Sequence, residues 1–221
     1  MKNNEIKIKL SGDKILTGNL RVPDDAKGLV IFAHGSGSSR LSPRNNFVAE
    51  ILNNRQMASL LTDLLTSKED EIYENRFDIS LLSDRLVKVT EWTGQQSLLQ
   101  FLPVGYFGAS TGAAAALQAA AALDNKIKAV VSRGGRPDLA NHLPKVKAPT
   151  LLIIGSLDTE VIALNQLAYD KLTGPKKIEI VPGASHLFEE PGTLNKAAQL
   201  AAGWFEQHLA VHVFLQNNSK I

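Results

Sequence analysis

From residue 28 onward, short runs dominated by apolar residues, unbroken at 28–33, alternate with longer stretches whose apolar positions recur every three or four places. An unbroken run suits a strand covered on both faces, and the wider spacing is that of a helix with one buried side. The runs at 28–33 (GLVIFA), 58–65, 104–107, 127–131, 150–154 and 178–181 are therefore predicted strands. Helical spacing predicts a helix over 45–54, with Phe47, Val48, Ile51 and Leu52 on one side. It predicts another over 79–93, through Ile79, Leu82, Leu86, Val89 and Trp92. The alanine-rich tract 111–123 reads as a helix packed closely on a sheet, and 161–172 and 194–208 are further helices. Ahead of these elements, 6–10 and 15–22 are strand-like and joined by Ser11-Gly12-Asp13-Lys14, a hairpin signal. The polar stretch 67–78 and the segment 132–137 are predicted surface loops.

Strand and helix in alternation imply a mostly parallel, twisted sheet with helices on both faces, with the opening hairpin antiparallel at one edge. No linker, low-complexity block or repeat interrupts the pattern, so residues 1–221 are expected to form a single α/β domain. A composition of 44% hydrophobic and 21% charged residues leaves that picture unchanged. The charges do narrow it: 24 Lys+Arg against 22 Asp+Glu give +2, no basis for a nucleic-acid or anionic-membrane partner. The absence of cysteine excludes disulfides, a thiolate zinc site and a cysteine nucleophile, and is compatible with a cytoplasmic location. The first ten residues lack the apolar stretch of a signal peptide, and no apolar run approaches the roughly 18–20 residues of a membrane span. No His/Asp/Glu group has metal-ligand spacing, no GxxxxGK[ST] occurs, and no GxGxxG opens a helix after a strand. Neither a metal nor a cofactor is expected; the expected partner is a small-molecule substrate, the chain being a monomer or small homo-oligomer. The polar tail 216–221 is expected to fray.

In open parallel sheets, ligands bind beyond the carboxyl ends of the strands. Four polar groups fall there: His34 to Ser39, Ser110, Asp158 and His186. Gly108-Ala109-Ser110-Thr111-Gly112 fits G-x-S-x-G between a strand and a helix, which would lift the Ser110 hydroxyl above the sheet on a strained turn. The glycines let backbone and helix approach without a Cβ clash; a bare glycine-rich turn is the plainer alternative. The helix N-terminus beneath supplies unpaired N–H groups for a developing oxyanion. Thr111 and Ser36, the latter in His34-Gly35-Ser36-Gly37, are the expected backbone donors, with His34 itself structural. Asp158 after TLLIIGSL can orient a histidine, or merely cap the next helix in company with Glu160. His186, in a loop after the last strand, can reach Ser110 as general base. Of Arg40, Arg44, Arg76, Arg133 and Arg136, the two flanking Gly134-Gly135 (Arg133 and Arg136) are candidates for binding a carboxylate or phosphate, unless they are simply solvated or salt-bridged.

HGSGSS at 34–39, GASTG at 108–112, the strand-end Asp158 and GASH at 183–186 together resemble the α/β-hydrolase superfamily, and within it the dienelactone hydrolase-like group. The resemblance spans nearly the whole chain. It implies an α/β-hydrolase fold of about eight strands, a Ser110–His186–Asp158 triad in the chain order of that fold, and cofactor-free ester or lactone hydrolysis through an acyl-enzyme. Dienelactone hydrolases proper use a cysteine, so their lactone does not carry over. Only residues 134–148 are available where many members insert an extended cap, which implies an open site. Acyl transfer or perhydrolysis by the same triad, and a non-catalytic binding protein on this fold, are the competing readings.

Overall fold

The computed structural model describes residues 4–10 and 12–209. Ser11 of the predicted hairpin, His212 and the 216–221 tail lie outside the described residues. Eight strands form one sheet: β1 (Asn4–Lys9), β2 (Ile15–Arg21), β3 (Gly28–Ala33), β4 (Met57–Thr62), β5 (Val104–Ala109), β6 (Ile127–Arg133), β7 (Thr150–Gly155) and β8 (Lys176–Val181). The order is β1-β2-β4-β3-β5-β6-β7-β8. β1 and β2, and β2 and β4, pair antiparallel, whereas every pair from β4 across to β8 is parallel. The opening hairpin therefore edges a parallel sheet, as its sequence predicts.

Helices α1 (Pro43–Asn54), α2 (Ser67–Asp70), α3 (Ile79–Thr93), α4 (Thr111–Leu123), α5 (Thr159–Lys171) and α6 (Thr193–Leu209) complete the layers. The side-chain alternation of β3 shows how both faces are filled. Leu29, Ile31 and Ala33 join the core beneath α3 and α4, while Val30 and Phe32 join the core beneath α1 and α6. Phe32 and Phe107 meet across neighbouring strands with ring centroids 4.9 Å apart. Central strands buried on both sides are why the apolar runs in the sequence are unbroken. The alanines of α4 allow its axis to lie close to the sheet, and Ala113, Ala114, Ala115 and Ala116 are fully buried.

Two departures from the sequence-based elements matter. β6 runs on through Arg133, two residues past its last apolar position, so a residue expected in a loop is an in-sheet residue only 6% exposed. The polar stretch 67–78 contains α2 and a 3₁₀ turn over Tyr73–Phe77. The start of α2 is a capping box: the Thr66 hydroxyl accepts from Glu69 N–H, and the Glu69 carboxylate accepts from Thr66 N–H.

Glu69 also joins three elements, accepting from Lys14 Nζ at 2.8 Å after the hairpin turn and from the buried Arg85 of α3. Burial raises the carboxyl pKa, but the Lys14, Thr66 and Arg85 contacts outweigh it and hold the group at about 2. A folded pKa below the unfolded one stabilises the fold above the unfolded value, and that stability is lost as pH falls toward the folded value. Glu69→Gln is expected to lower stability by ~2–3 kcal/mol at neutral pH. The gap to the wild type should close as pH falls from about 4.5 toward 2, measured by urea unfolding across that range.

Candidate active site

Ser110 stands between β5 and α4 with φ 51° and ψ −125°, a backbone conformation that L-residues rarely adopt. Its neighbours make the turn possible. A Cβ on Gly108 would lie 2.4 Å from Ala113 Cα, and one on Gly112 would lie 2.1 Å from the Ala33 carbonyl oxygen. The two glycines of the motif thus press α4 against the end of β3, and Ser110 is held upright by packing rather than by its own preference. Gly35 sits against the same residue: its Cβ would be 3.0 Å from Ser110 Cβ.

The expected oxyanion donors are next to each other. Thr111 is the first residue of α4, where an N–H has no partner inside the helix. Ser36 N–H donates to Thr111 Oγ1 at 2.9 Å, tying the loop after β3 to the start of α4. His34 is partly buried and both its ring nitrogens are occupied: Nδ1 lies 2.9 Å from Gly35 O, and Leu64 N–H donates to Nε2 at 3.3 Å. Nδ1 therefore carries the proton, burial pushes the pKa down, and the ring serves as a structural clamp.

Asp158 occupies the N-cap position of α5 yet makes no side-chain cap bond. Its carboxylate instead lies 2.6 Å from His186 Nδ1. His186 follows β8 on a loop held in several ways. Ser185 N–H donates to Glu190 at 3.0 Å, and Leu157 N–H to Ala184 O at 3.0 Å. Gly155, at the end of β7, has no side chain because Ala184 O occupies the place of its Cβ, 2.2 Å away. Glu190 was not legible as a site residue; its acidic character five residues past Ser185 carries no pattern.

Ser110 and His186 line one cavity of about 200 Å³, together with Ser36, Arg44 and Arg133. Among the hydrogen bonds of the described residues there is none between Ser110 Oγ and His186, a contact that commonly tightens only with substrate present. A larger cavity of about 720 Å³ lies at the other ends of the strands, beside Val104, Lys128 and His208, and none of the three catalytic candidates lines it. The segment 134–149 above the site holds only the 3₁₀ turns Pro137–Leu139 and Leu143–Lys145, so no extended cap covers it. The arginines separate by partner. Arg40 is engaged by Asp63 and Glu5, Arg76 by Asp70, and Arg136 by Asp138 through two bonds of 2.8 and 2.9 Å, outside the cavity wall. Arg44 meets the exposed Glu189 at 3.1 Å, and Arg133 makes no hydrogen bond through its side chain among the described residues.

A solved structure described as dienelactone hydrolase from Anabaena variabilis is 54% identical, with a TM-score of 0.91 over 94% of this chain and 98% of that one. The chain belongs to the dienelactone hydrolase-like α/β-hydrolases. Est1E from Butyrivibrio proteoclasticus, 15% identical with a TM-score of 0.77, shares the fold over 92% of this chain and 98% of its own. The chain is also similar to two curated Mycobacterium tuberculosis proteins, from strains CDC 1551 and H37Rv, each named "Putative phosphoribosyl transferase". They are 52% identical over 210 residues, 95% of this chain, but the chain spans about half their length (47%). No family model matches the chain.

Gly112→Ala is expected to be among the most damaging single substitutions in this fold, because the clash is with backbone that cannot rotate away. A loss of more than ~3 kcal/mol in urea unfolding, or insoluble expression, is the expected outcome.

Proposed function

We propose that the chain is a serine hydrolase that cleaves a small carboxylic ester or lactone through an acyl-enzyme. The observation that carries this reading is the 2.6 Å contact between Asp158 and His186 Nδ1, which fixes the tautomer whose Nε2 can accept a proton. In the first half-reaction His186 Nε2 removes the Ser110 proton as Oγ bonds to the substrate carbonyl carbon. The carbonyl oxygen becomes an anion beside Thr111 N–H and Ser36 N–H. The protonated ring then hands its proton to the departing alkoxide, and Asp158 stabilises the imidazolium without taking the proton. A water molecule, deprotonated by the same nitrogen, attacks the acyl-enzyme, and collapse returns the proton to Ser110 and releases the acid.

Hydrolysis is favoured over acyl transfer by exposure. His186 is 38% exposed and no extended cap covers it, so the acyl-enzyme meets bulk water. The strained Ser110 supports catalysis over a purely binding role, since nothing but an upright hydroxyl is gained from that conformation. The phosphoribosyl transferase name is given to relatives about twice as long and describes them as wholes.

A fluorophosphonate probe should label the wild type and not Ser110→Ala, and equal labelling of both would remove Ser110 as the nucleophile. Asp158→Asn should lower kcat by about 10⁴-fold while leaving the thermal midpoint close to that of the wild type.

A further inference from the structure

Arg133 is a buried charge with no acidic partner among the described residues. Its side chain is buried, its Nε and Nη1 have no partner, and no carboxylate contacts it. The Phe188 ring lies 5.8 Å from the guanidinium carbon. An unpaired cation out of water is costly, and its presence calls for an occupant of opposite charge. The position is unambiguous. In the β5–β6 register Arg133 stands opposite Ala109, the residue before Ser110, and Ser110 N–H faces the Arg133 carbonyl at 3.5 Å. Its side chain forms part of the cavity wall that also holds Ser110 and His186.

Three further features face that cavity. Arg44 lies close enough to Arg133 that, after burial, its charge helps push the Arg133 pKa down to about 10. Arg44 is partly exposed, and its own acid, Glu189, lies mostly in solvent. Both arginines are cations at neutral pH, so the cavity presents two positive charges. The second feature is the start of α1: Ser42, its N-cap, and Arg44 and Asn45 of its first turn line the wall, which brings the positive end of a twelve-residue helix to the same place. The third is the hydroxyls of Ser36, Ser38 and Ser42. A carboxylate would neutralise one guanidinium and leave the other facing it. A phosphate monoester, dianionic above a pH of about 6, matches two guanidiniums and has enough oxygens for the hydroxyls as well.

We propose that Arg133 and Arg44, at the N-terminus of α1, form a phosphate subsite of the active-site cavity, so that the substrate carries a phosphate monoester a short reach from its scissile carbonyl. This rests on the serine-hydrolase reading for the cleavage step but not for the binding. Arg133 holds the phosphate from the sheet side, Arg44 closes on it from the rim, and the ester carbonyl is placed at Ser110. The subsite thereby selects the substrate and aligns it in one act.

Inorganic phosphate is the probe for binding, titrated at pH 7.5 by calorimetry into the wild type, Ser110→Ala, Arg133→Met, Arg44→Gln and Arg136→Gln. Wild type, Ser110→Ala and Arg136→Gln should bind alike, and Arg133→Met should bind roughly 10–100-fold more weakly. Arg44→Gln, on the rim where the fold tolerates change, should weaken binding several-fold and serves if Arg133→Met fails to fold. Arg133→Met should also raise the thermal midpoint in phosphate-free buffer, because an unpaired buried charge is removed. In the wild type, p-nitrophenyl 3-phosphonopropionate should exceed both the butyrate and the hemisuccinate esters in kcat/KM, mainly through KM. Phosphate binding unchanged in both arginine variants, or acetate bound as tightly as phosphate, would overturn the subsite. So would a hemisuccinate ester turned over as well as the phosphonate. Equal fluorophosphonate labelling of wild type and Ser110→Ala, or no labelling of the wild type, with phosphate binding intact would instead overturn the nucleophile and leave the subsite standing.

Discussion

The molecule turns on a backbone contact that only glycine permits. At Gly112 the first turn of α4 lies against the carbonyl of Ala33, so near that a methyl group would sit 2.1 Å from its oxygen. Helix and strand can approach this closely because Gly108 likewise leaves room for Ala113. Everything at the candidate site depends on that approach. It forces Ser110 into its positive φ, brings the loop after β3 within reach of Thr111, and leaves Gly35 packed on the serine. The alanine-rich surface of α4 extends the approach along the sheet and distributes its cost over a largely buried helix.

Most of the fold was legible because its strands are buried on both faces. Mostly apolar runs marked all six parallel strands, with Lys128 and Glu179 as charged interruptions, and α3 and α4 begin and end where their patterns do. The candidate residues Ser110, Asp158 and His186 were picked from residue type and strand end, and Asp158 and His186 lie in contact. Asp158 was ambiguous from sequence, because the position that caps a helix is also the position beyond a strand; only the direction of its carboxylate decides. Two things were not legible. Hydropathy ends β6 at its last apolar residue, so Arg133 reads as a loop arginine, whereas hydrogen bonding to β5 and β7 carries the strand through it. The Ser36–Thr111 bond joins residues 75 apart in the chain, and no local pattern records it.

The distribution of charge follows the same division between scaffold and site. Away from the cavity, charged groups are matched: Glu69 gathers Lys14 and Arg85, Asp63 takes Arg40, and Asp138 takes Arg136. These contacts fasten loops and the hairpin turn to the body of the sheet. At the cavity wall Arg133 is the exception, buried without an acid among the described residues, while Arg44 beside it meets Glu189. Folded proteins tolerate such an imbalance where another molecule supplies what is missing, and the cost in resting stability becomes a preference for what binds.

The bond from Ser36 to the Thr111 hydroxyl has a consequence for discrimination between bound states. In the proposed reaction, with that amide already engaged, a neutral carbonyl arriving beside it would exchange one ordinary dipolar contact for another and gain little. Once the same oxygen acquires full charge the exchange becomes favourable, since ionic acceptors outcompete alcohols for an N–H. A donor that is occupied at rest thus responds to the reaction's electron shift more than to the arriving molecule, a form of selectivity that raises turnover without tightening the grip on what has yet to react.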